Sequence, residues 1–388
     1  MTVISGTVTT EAWVLRRGEG ANCGPGALEL GEVSFDEPTD EELLVEPIYG
    51  CWEANMTHAV ERDPVDICQV RGEEQIVLGN AGVVRVLRPG RAVTDFEEGE
   101  IAIVVPIGKW DEAGHTIKVL GYDARGTYGM LAKRIKLHRK QLLHIPPDDQ
   151  HSYRQWAAFP IRYATAWANW KVAYGCWQQQ FGNEGKPIVW GWGGGMSLGE
   201  LILAKRDGCR AAMIASTDER LALIESCGLE AIDRRPFADL SFDAERFATD
   251  RAYKRRYIRA ERTFMNTVLE RTDGAKVSIF IDAIGGPVFR ATQRALARRG
   301  VITTAGWRRG MMLTLARANE CISHNLYVHT HGCPLDQGAV SVEYASRTGW
   351  VPPVDDRVYS WEEVPLLADD FAAGRISTYF PVYQVNPL

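Results

Sequence analysis

The residues with the clearest chemical potential are Val189-Trp190-Gly191-Trp192-Gly193-Gly194-Gly195-Met196-Ser197-Leu198. A short apolar run enters this segment and helix-compatible sequence leaves it. The glycines therefore predict a tight turn from a strand into a helix. The first N–H groups of such a helix have no intrahelical acceptor and suit a pyrophosphate. Gly191, Gly194 and Gly195 let the backbone approach that anion and let the helix pack on the strand, with Met196 in the first turn. Ser197 stands where a last glycine is common, and a small residue serves inside the helix. A second strand, Ala211–Ala215, leads into Ser216-Thr217-Asp218-Glu219-Arg220. An NAD-selective site usually has an acid here for the ribose hydroxyls. Two hydroxyls followed by Arg220 instead suit a ribose 2′-phosphate, which needs donors and positive charge. NADPH is the expected cofactor. Asp218 is the competing ribose ligand, and capping of the second helix is the other use for Ser216 and Thr217.

These residues need a frame that holds the turn. Further strands are expected at Ser278–Ala283, Val301–Ala305 and Leu326–His329, with a helix between the first two of these. Repeated strand-then-helix units predict a parallel, doubly wound sheet. The first ~150 residues read instead as β-rich. Leu43–Pro47, Val83–Leu87 and Ile101–Pro106 are candidate strands, Gly31–Leu44 reads as an acidic loop, and Asp123–Met130 as a glycine-rich mobile loop. Ala157–Tyr174 has helical spacing. Six of the twelve Trp lie between Trp156 and Trp192, which predicts core packing. The C-terminal segment is expected to hold a helix near Trp361–Ala373 and a strand near Phe380–Val385.

The chain has 388 residues, 45% of them apolar and 24% charged, with a net charge of −6. These values fit a soluble globular protein of about two domains and exclude a disordered or collagen-like chain. The acidic balance argues against a nucleic-acid partner. No apolar stretch is long enough for a membrane span, and no signal peptide is read. The eight Cys include no two within three residues of each other, which predicts reduced thiols in the cytoplasm and no redox pair or zinc ribbon. One segment reverses the overall charge: Asp250–Arg262 carries Arg251, Lys254, Arg255, Arg256, Arg259 and Arg262. A solvated helix face, a subunit contact and a site for a phosphorylated ligand compete there.

Together these motifs resemble the medium-chain dehydrogenase/reductase superfamily over nearly the whole length. Gly191–Leu198 resembles its glycine turn, Ala164-Thr165-Ala166-Trp167 its domain-linking helix, and Asp282-Ala-Ile-Gly-Gly its fourth-strand motif. The resemblance implies an α/β architecture in which a GroES-like catalytic domain (1–164 and 337–388) is interrupted by a Rossmann domain (165–336) with a basic insert at about 237–272. It adds Thr165 and Ala305 to the cofactor residues and implies a homodimer or homotetramer. Leu78-Gly79-Asn80-Ala81-Gly82 lacks the metal ligands of the zinc relatives, so a zinc-free protein is expected.

Within the superfamily the chain is most similar to crotonyl-CoA carboxylase/reductases and enoyl-thioester reductases. Gly121-Tyr122-Asp123 stands at their Gly-Phe-Glu segment, and His331, with His329 as alternative, at their active-site His. The resemblance implies hydride transfer from NADPH to an α,β-unsaturated acyl thioester, carried by CoA or an acyl carrier protein. Tyr122, Asp123 and His331 are the candidate catalytic residues. Arg255, Arg256 and Arg259 are the candidates for a substrate phosphate. Reductive carboxylation, quinone or enone reduction, and a non-catalytic NADPH-binding role are the competing expectations.

Overall fold

A computed structural model of the chain describes residues 6–20, 23–182, 185–306, 312–314, 322–330, 332 and 334–388. The chain divides into two compact units, Met1–Ala164 with Cys333–Leu388, and Thr165–Gly332.

The first unit is built mostly on antiparallel pairing, with Val358–Tyr359 parallel to Val382–Gln384. Its largest sheet has the order Leu142–His144, Ile101–Val104, Gly82–Pro89, Glu42–Cys51, Val382–Gln384, Val358–Tyr359, with Ile135–His138 also paired to Glu42–Cys51. A three-stranded sheet places Thr7–Arg16 between Leu28–Asp36 and Gln75–Val77. Leu28–Asp36 and Glu42–Cys51 correct the two ends of the expected acidic loop Gly31–Leu44, of which only 37–41 lies outside a strand. Val33 and Phe35 face the interior while Glu32, Ser34 and Asp36 face water, as two-residue alternation in a half-buried strand allows. The helical stretch expected over Ala157–Tyr174 is two helices, Tyr153–Ala158 and Arg162–Phe181. Pro160 lies in the break, where a ring in place of an N–H disfavours a continuous helix. Ser152 and Gln155 form a reciprocal cap on the first of them.

The second unit holds six parallel strands in the order Glu230–Asp233, Arg210–Ala215, Ile188–Trp192, Val277–Ile281, Leu296–Thr304, Tyr327–Thr330. Numbered along the chain this is 3-2-1-4-5-6, the doubly wound order of dinucleotide-binding sheets. The first strand is buried at four of its five positions, as a central strand covered on both faces should be. Trp156, Trp167, Trp170, Trp177, Trp190 and Trp192 are all at least nine-tenths buried, which bears out core packing. Within the second unit, Trp170, Tyr174, Trp177 and Phe181 stack along one helix at centroid spacings of 5.0, 6.2 and 5.2 Å. They are placed at i, i+4, i+7 and i+11, the spacing that keeps side chains on one helical face.

Candidate functional site

The glycine segment folds as a strand, a turn and a helix. Ile188–Trp192 ends, Gly193 and Gly194 turn, and the helix Gly195–Arg206 begins. Gly191 and Gly194 do different work. A Cβ on Gly191 would lie 3.2 Å from Leu201 Cδ1 and 3.3 Å from Ile281 Cβ, so this glycine serves close packing. A Cβ on Gly194 would meet nothing nearer than Ser197 Oγ at 3.9 Å, and no side chain caps the helix that Gly194 opens. The first N–H groups of the helix are thus left for an anion. Met196 is half-buried in this first turn.

One turn further in, Glu200 is fully buried. Asn169 Nδ2 donates to its Oε2 at 2.7 Å, and among the described residues no cation forms an ion pair with it. Burial pushes its carboxyl up to about 8. Its folded pKa lies above the unfolded value, so stability is fully present below about pH 4.5 and is lost as pH rises toward 8. Glu200→Gln is expected to raise the melting temperature at pH 8 and to change it little at pH 4.5. Thermal unfolding across that range checks this, and an equal shift at both ends would contradict it.

At the end of the second strand, Thr217 is the N-cap of the helix Asp218–Ser226. Its Oγ1 accepts the Arg220 N–H at 3.3 Å. Ser216 is exposed and Arg220 half-buried. The acid that competes for a ribose is already engaged: Asp218 Oδ1 lies 2.8 Å from Arg235 Nη2. Arg235 also binds Asp233, and the neighbouring Arg234 guanidinium lies 5.5 Å from the Trp192 ring centroid. The Arg234 N–H donates to the Ala215 carbonyl at 2.8 Å, tying it to the second strand's end. Arg234 and Arg235 were missed from sequence because they follow a four-residue strand, Glu230–Asp233, that was not read as one.

Asp282, fully buried, organises the fourth-strand end. Its Oδ1 accepts the N–H groups of Ile284 and Gly285, both at 3.0 Å, and its Oδ2 accepts the Thr292 hydroxyl at 2.7 Å. Trp192 Nε1 donates to the same Thr292 oxygen at 2.8 Å. This chain joins the end of the glycine strand to the fourth strand and the helix after it. Burial raises the Asp282 carboxyl. Thr165 and Ala305 are both half-buried, near the start of the linking helix and just past the fifth strand.

In the first unit, Tyr122 and Asp123 sit on a turn that is held, which corrects the expectation of a free loop. Gly121 has φ +57, and a Cβ there would come within 2.5 Å of the Gly79 carbonyl oxygen. Arg71 Nη1 and Nη2 donate to the carbonyls of Tyr122 and Thr127 at 3.2 and 2.9 Å. Asp123 Oδ1 accepts the Val119 N–H at 2.6 Å, and its Oδ2 lies 3.2 Å from Lys118 Nζ. Both carboxylate oxygens therefore close the turn. Burial pushes the Tyr122 phenol up to about 12. His331 lies outside the described residues. His329, the alternative, is half-buried in the strand Tyr327–Thr330.

A buried polar cluster in this unit was not anticipated. Arg162 Nη1 donates to Glu53 Oε1 at 2.6 Å and to Cys51 Sγ at 2.8 Å, and Nη2 donates to the Trp52 carbonyl at 2.9 Å. All four residues are at least nine-tenths buried. Burial pushes the Cys51 thiol up to about 12, so Cys51 accepts here as a thiol. No local spacing could reveal a set whose members lie 109 to 111 residues apart.

The basic insert contains the helix Arg251–Arg271. Tyr253, Tyr257, Ala260, Phe264 and Val268 face the core of the second unit. Arg255, Arg256 and Arg259 are exposed on the other side. Arg256 Nε lies 3.9 Å from Asp239 Oδ1, which sets it apart from the other two.

No protein-family model matches the chain. The curated crotonyl-CoA reductase of Streptomyces avermitilis is 24% identical over 298 residues, covering 75% of this chain and 63% of the relative. The chain thus matches less than two thirds of that relative's length. A solved 2-octenoyl-CoA carboxylase reductase, CinF, in complex with NADP and 2-octenoyl-CoA superposes with a TM-score of 0.78 at 19% identity, over 97% of this chain and 87% of that one. The crotonyl-CoA carboxylase/reductase AntE in complex with NADP gives 0.78 at 18% identity, over 100% and 98%. An NAD-dependent alcohol dehydrogenase gives 0.72 at 20% identity, over 97% and 100%. The chain therefore has the fold of the medium-chain dehydrogenase/reductases, with a GroES-like and a Rossmann unit, and is similar to the crotonyl-CoA carboxylase/reductases.

Proposed function

We propose that the protein is an NADPH-dependent oxidoreductase that reduces the C=C bond of an α,β-unsaturated acyl thioester. The observation that carries the cofactor choice is the end of the second strand. The first acid after it, Asp218, is paired with Arg235, and Arg220 and Arg234 lie close in sequence or space to the same strand end. The turn fits the rest of the cofactor, since the helix opened by Gly194 has no side-chain cap. Held there, NADPH would supply the hydride that the β-carbon accepts.

The chain's residues divide the remaining work. The N–H groups at Gly195 and Met196 would hold the pyrophosphate, and Arg220 would hold the 2′-phosphate. Tyr122, whose phenol keeps its proton throughout the physiological range, serves as a hydrogen-bond donor to the thioester oxygen. Asp123 positions Tyr122 through its bonds to Val119 and Lys118. His331 serves as the acid for the α-carbon. Cys51, committed to Arg162, is a structural thiol, and the reading is zinc-free.

Reductive carboxylation is the second reading, favoured by the solved relatives, whose names carry it. Simple reduction is preferred because both Asp123 oxygens are engaged within the turn, leaving that carboxylate poorly placed to order carbon dioxide or water. Incubation with NADPH, a 2-enoyl-CoA and bicarbonate separates the two. The expected product is the saturated thioester. A product with an added carboxylate would establish the second reading instead, and cofactor binding without turnover would establish a non-catalytic role.

A further inference from the structure

Resting on the thioester reading above, we infer that the exposed face of the helix Arg251–Arg271 is the docking surface for an acidic acyl carrier protein. A thioester reaches an enzyme on CoA or on a carrier protein, and this face is built for the larger of the two.

Arg251, Lys254, Arg255, Arg259 and Arg262 are all exposed. At about 100° per residue they fall within roughly 140° of the helix circumference, and at about 1.5 Å per residue they extend over roughly 16 Å. The nearby acids are withdrawn from this stripe. Asp250 is the N-cap, with its carboxylate on the N–H groups of Ala252 and Tyr253. Glu261 is buried and paired with Arg290 and Arg294. No described acid forms an ion pair with Arg251, Arg255, Arg259 or Arg262. Ile258, 47% exposed, lies in the middle of the stripe. A row of cations with no ion-pair partner among the described residues, set around one apolar side chain, complements an acidic amphipathic helix.

The face suits CoA less well. Its phosphates would engage only a part of a 16 Å row, and an adenine needs a slot. The cavities described in the second unit and elsewhere are lined by other residues. The overall charge of −6 sharpens the inference. On average it disfavours an acidic partner, so a local basic face both attracts and orients one.

The test gives the full chain one 2-enoyl group in two forms, as a CoA thioester and on an acidic holo-acyl carrier protein. Arg251→Glu/Arg262→Glu reverses the two ends of the stripe. The expected result is a rise of about tenfold or more in KM for the carrier form, with kcat kept and the effect shrinking at high salt. The CoA form should change by less than about twofold. Unchanged kinetics on the carrier form would overturn the inference. So would an equal loss on the CoA form here, or in Arg255→Gln/Arg259→Gln, which would make the face a CoA phosphate site. Salt-sensitive binding of a DNA duplex that the reversal abolishes, with the carrier form unaffected, would assign the face to nucleic acid. If the wild type reduces neither thioester, the thioester reading itself fails. Titration of the same carrier protein against wild type and variant then decides the docking: a weakening of about tenfold supports it and none overturns it.

Discussion

Arg162→Met is expected to destabilise the first unit by about 3–5 kcal/mol, the cost of stranding one partner of a buried ion pair. The Arg162 and Glu53 side chains are only 9% and 5% exposed, so neither charge has water to fall back on. The same guanidinium also satisfies Cys51 Sγ and the Trp52 carbonyl. Removing it leaves three acceptors in the interior at once, each costly to leave unmade. Glu53→Gln in the Arg162→Met background should recover part of the loss at neutral pH, because burial already holds the Glu53 carboxyl up at about 7 and without Arg162 it must stay protonated in the interior, a cost Gln does not carry. Urea unfolding read at a probe in the first unit checks both. An Arg162→Met protein within about 0.5 kcal/mol of wild type would mean that the cluster contributes little.

Arg220→Gln is expected to weaken NADPH binding by about 10- to 150-fold while leaving NADH within about twofold, because a hydrogen bond to a charged group is worth about 1.5–3 kcal/mol. The sign follows from the ribose: only NADPH carries the 2′-phosphate, so only NADPH loses a partner. Titration of both cofactors by fluorescence measures it. Parallel weakening of the two would point to damage to the helix Asp218–Ser226, whose cap is the Thr217 hydroxyl on the Arg220 N–H. Unchanged NADPH binding would shift the phosphate site to Arg234 and Arg235.

The glycine-marked local features were legible in the sequence, some other local elements were not, and contacts between distant segments were not. The glycine turn and the strands beside it follow from a pattern within ten residues, and the fold bears them out. Leu28–Asp36 was misread because three of its solvent-facing residues are acids, and a charge-rich segment looks like a loop until its alternation is noticed. The strand Glu230–Asp233 and the helix Leu335–Thr348 went unread, and with the strand went Arg234 and Arg235. Asp123 illustrates the harder problem. A carboxylate beside an aromatic on a glycine-rich turn reads as chemistry, whereas its two bonds to Val119 and Lys118 follow from how the turn closes in three dimensions. The Arg162 cluster depends on a contact across more than a hundred residues, which no window of sequence contains.

The most direct measurement follows the hydrogen. NADPH deuterated at C4 is incubated with the full chain and a 2-enoyl thioester on CoA or a carrier protein, and the product is analysed by mass and by NMR. One deuterium on the β-carbon of a saturated, uncarboxylated acyl thioester is the predicted result. NADPH that binds but delivers no deuterium to the acyl chain of either thioester would contradict the proposed reaction.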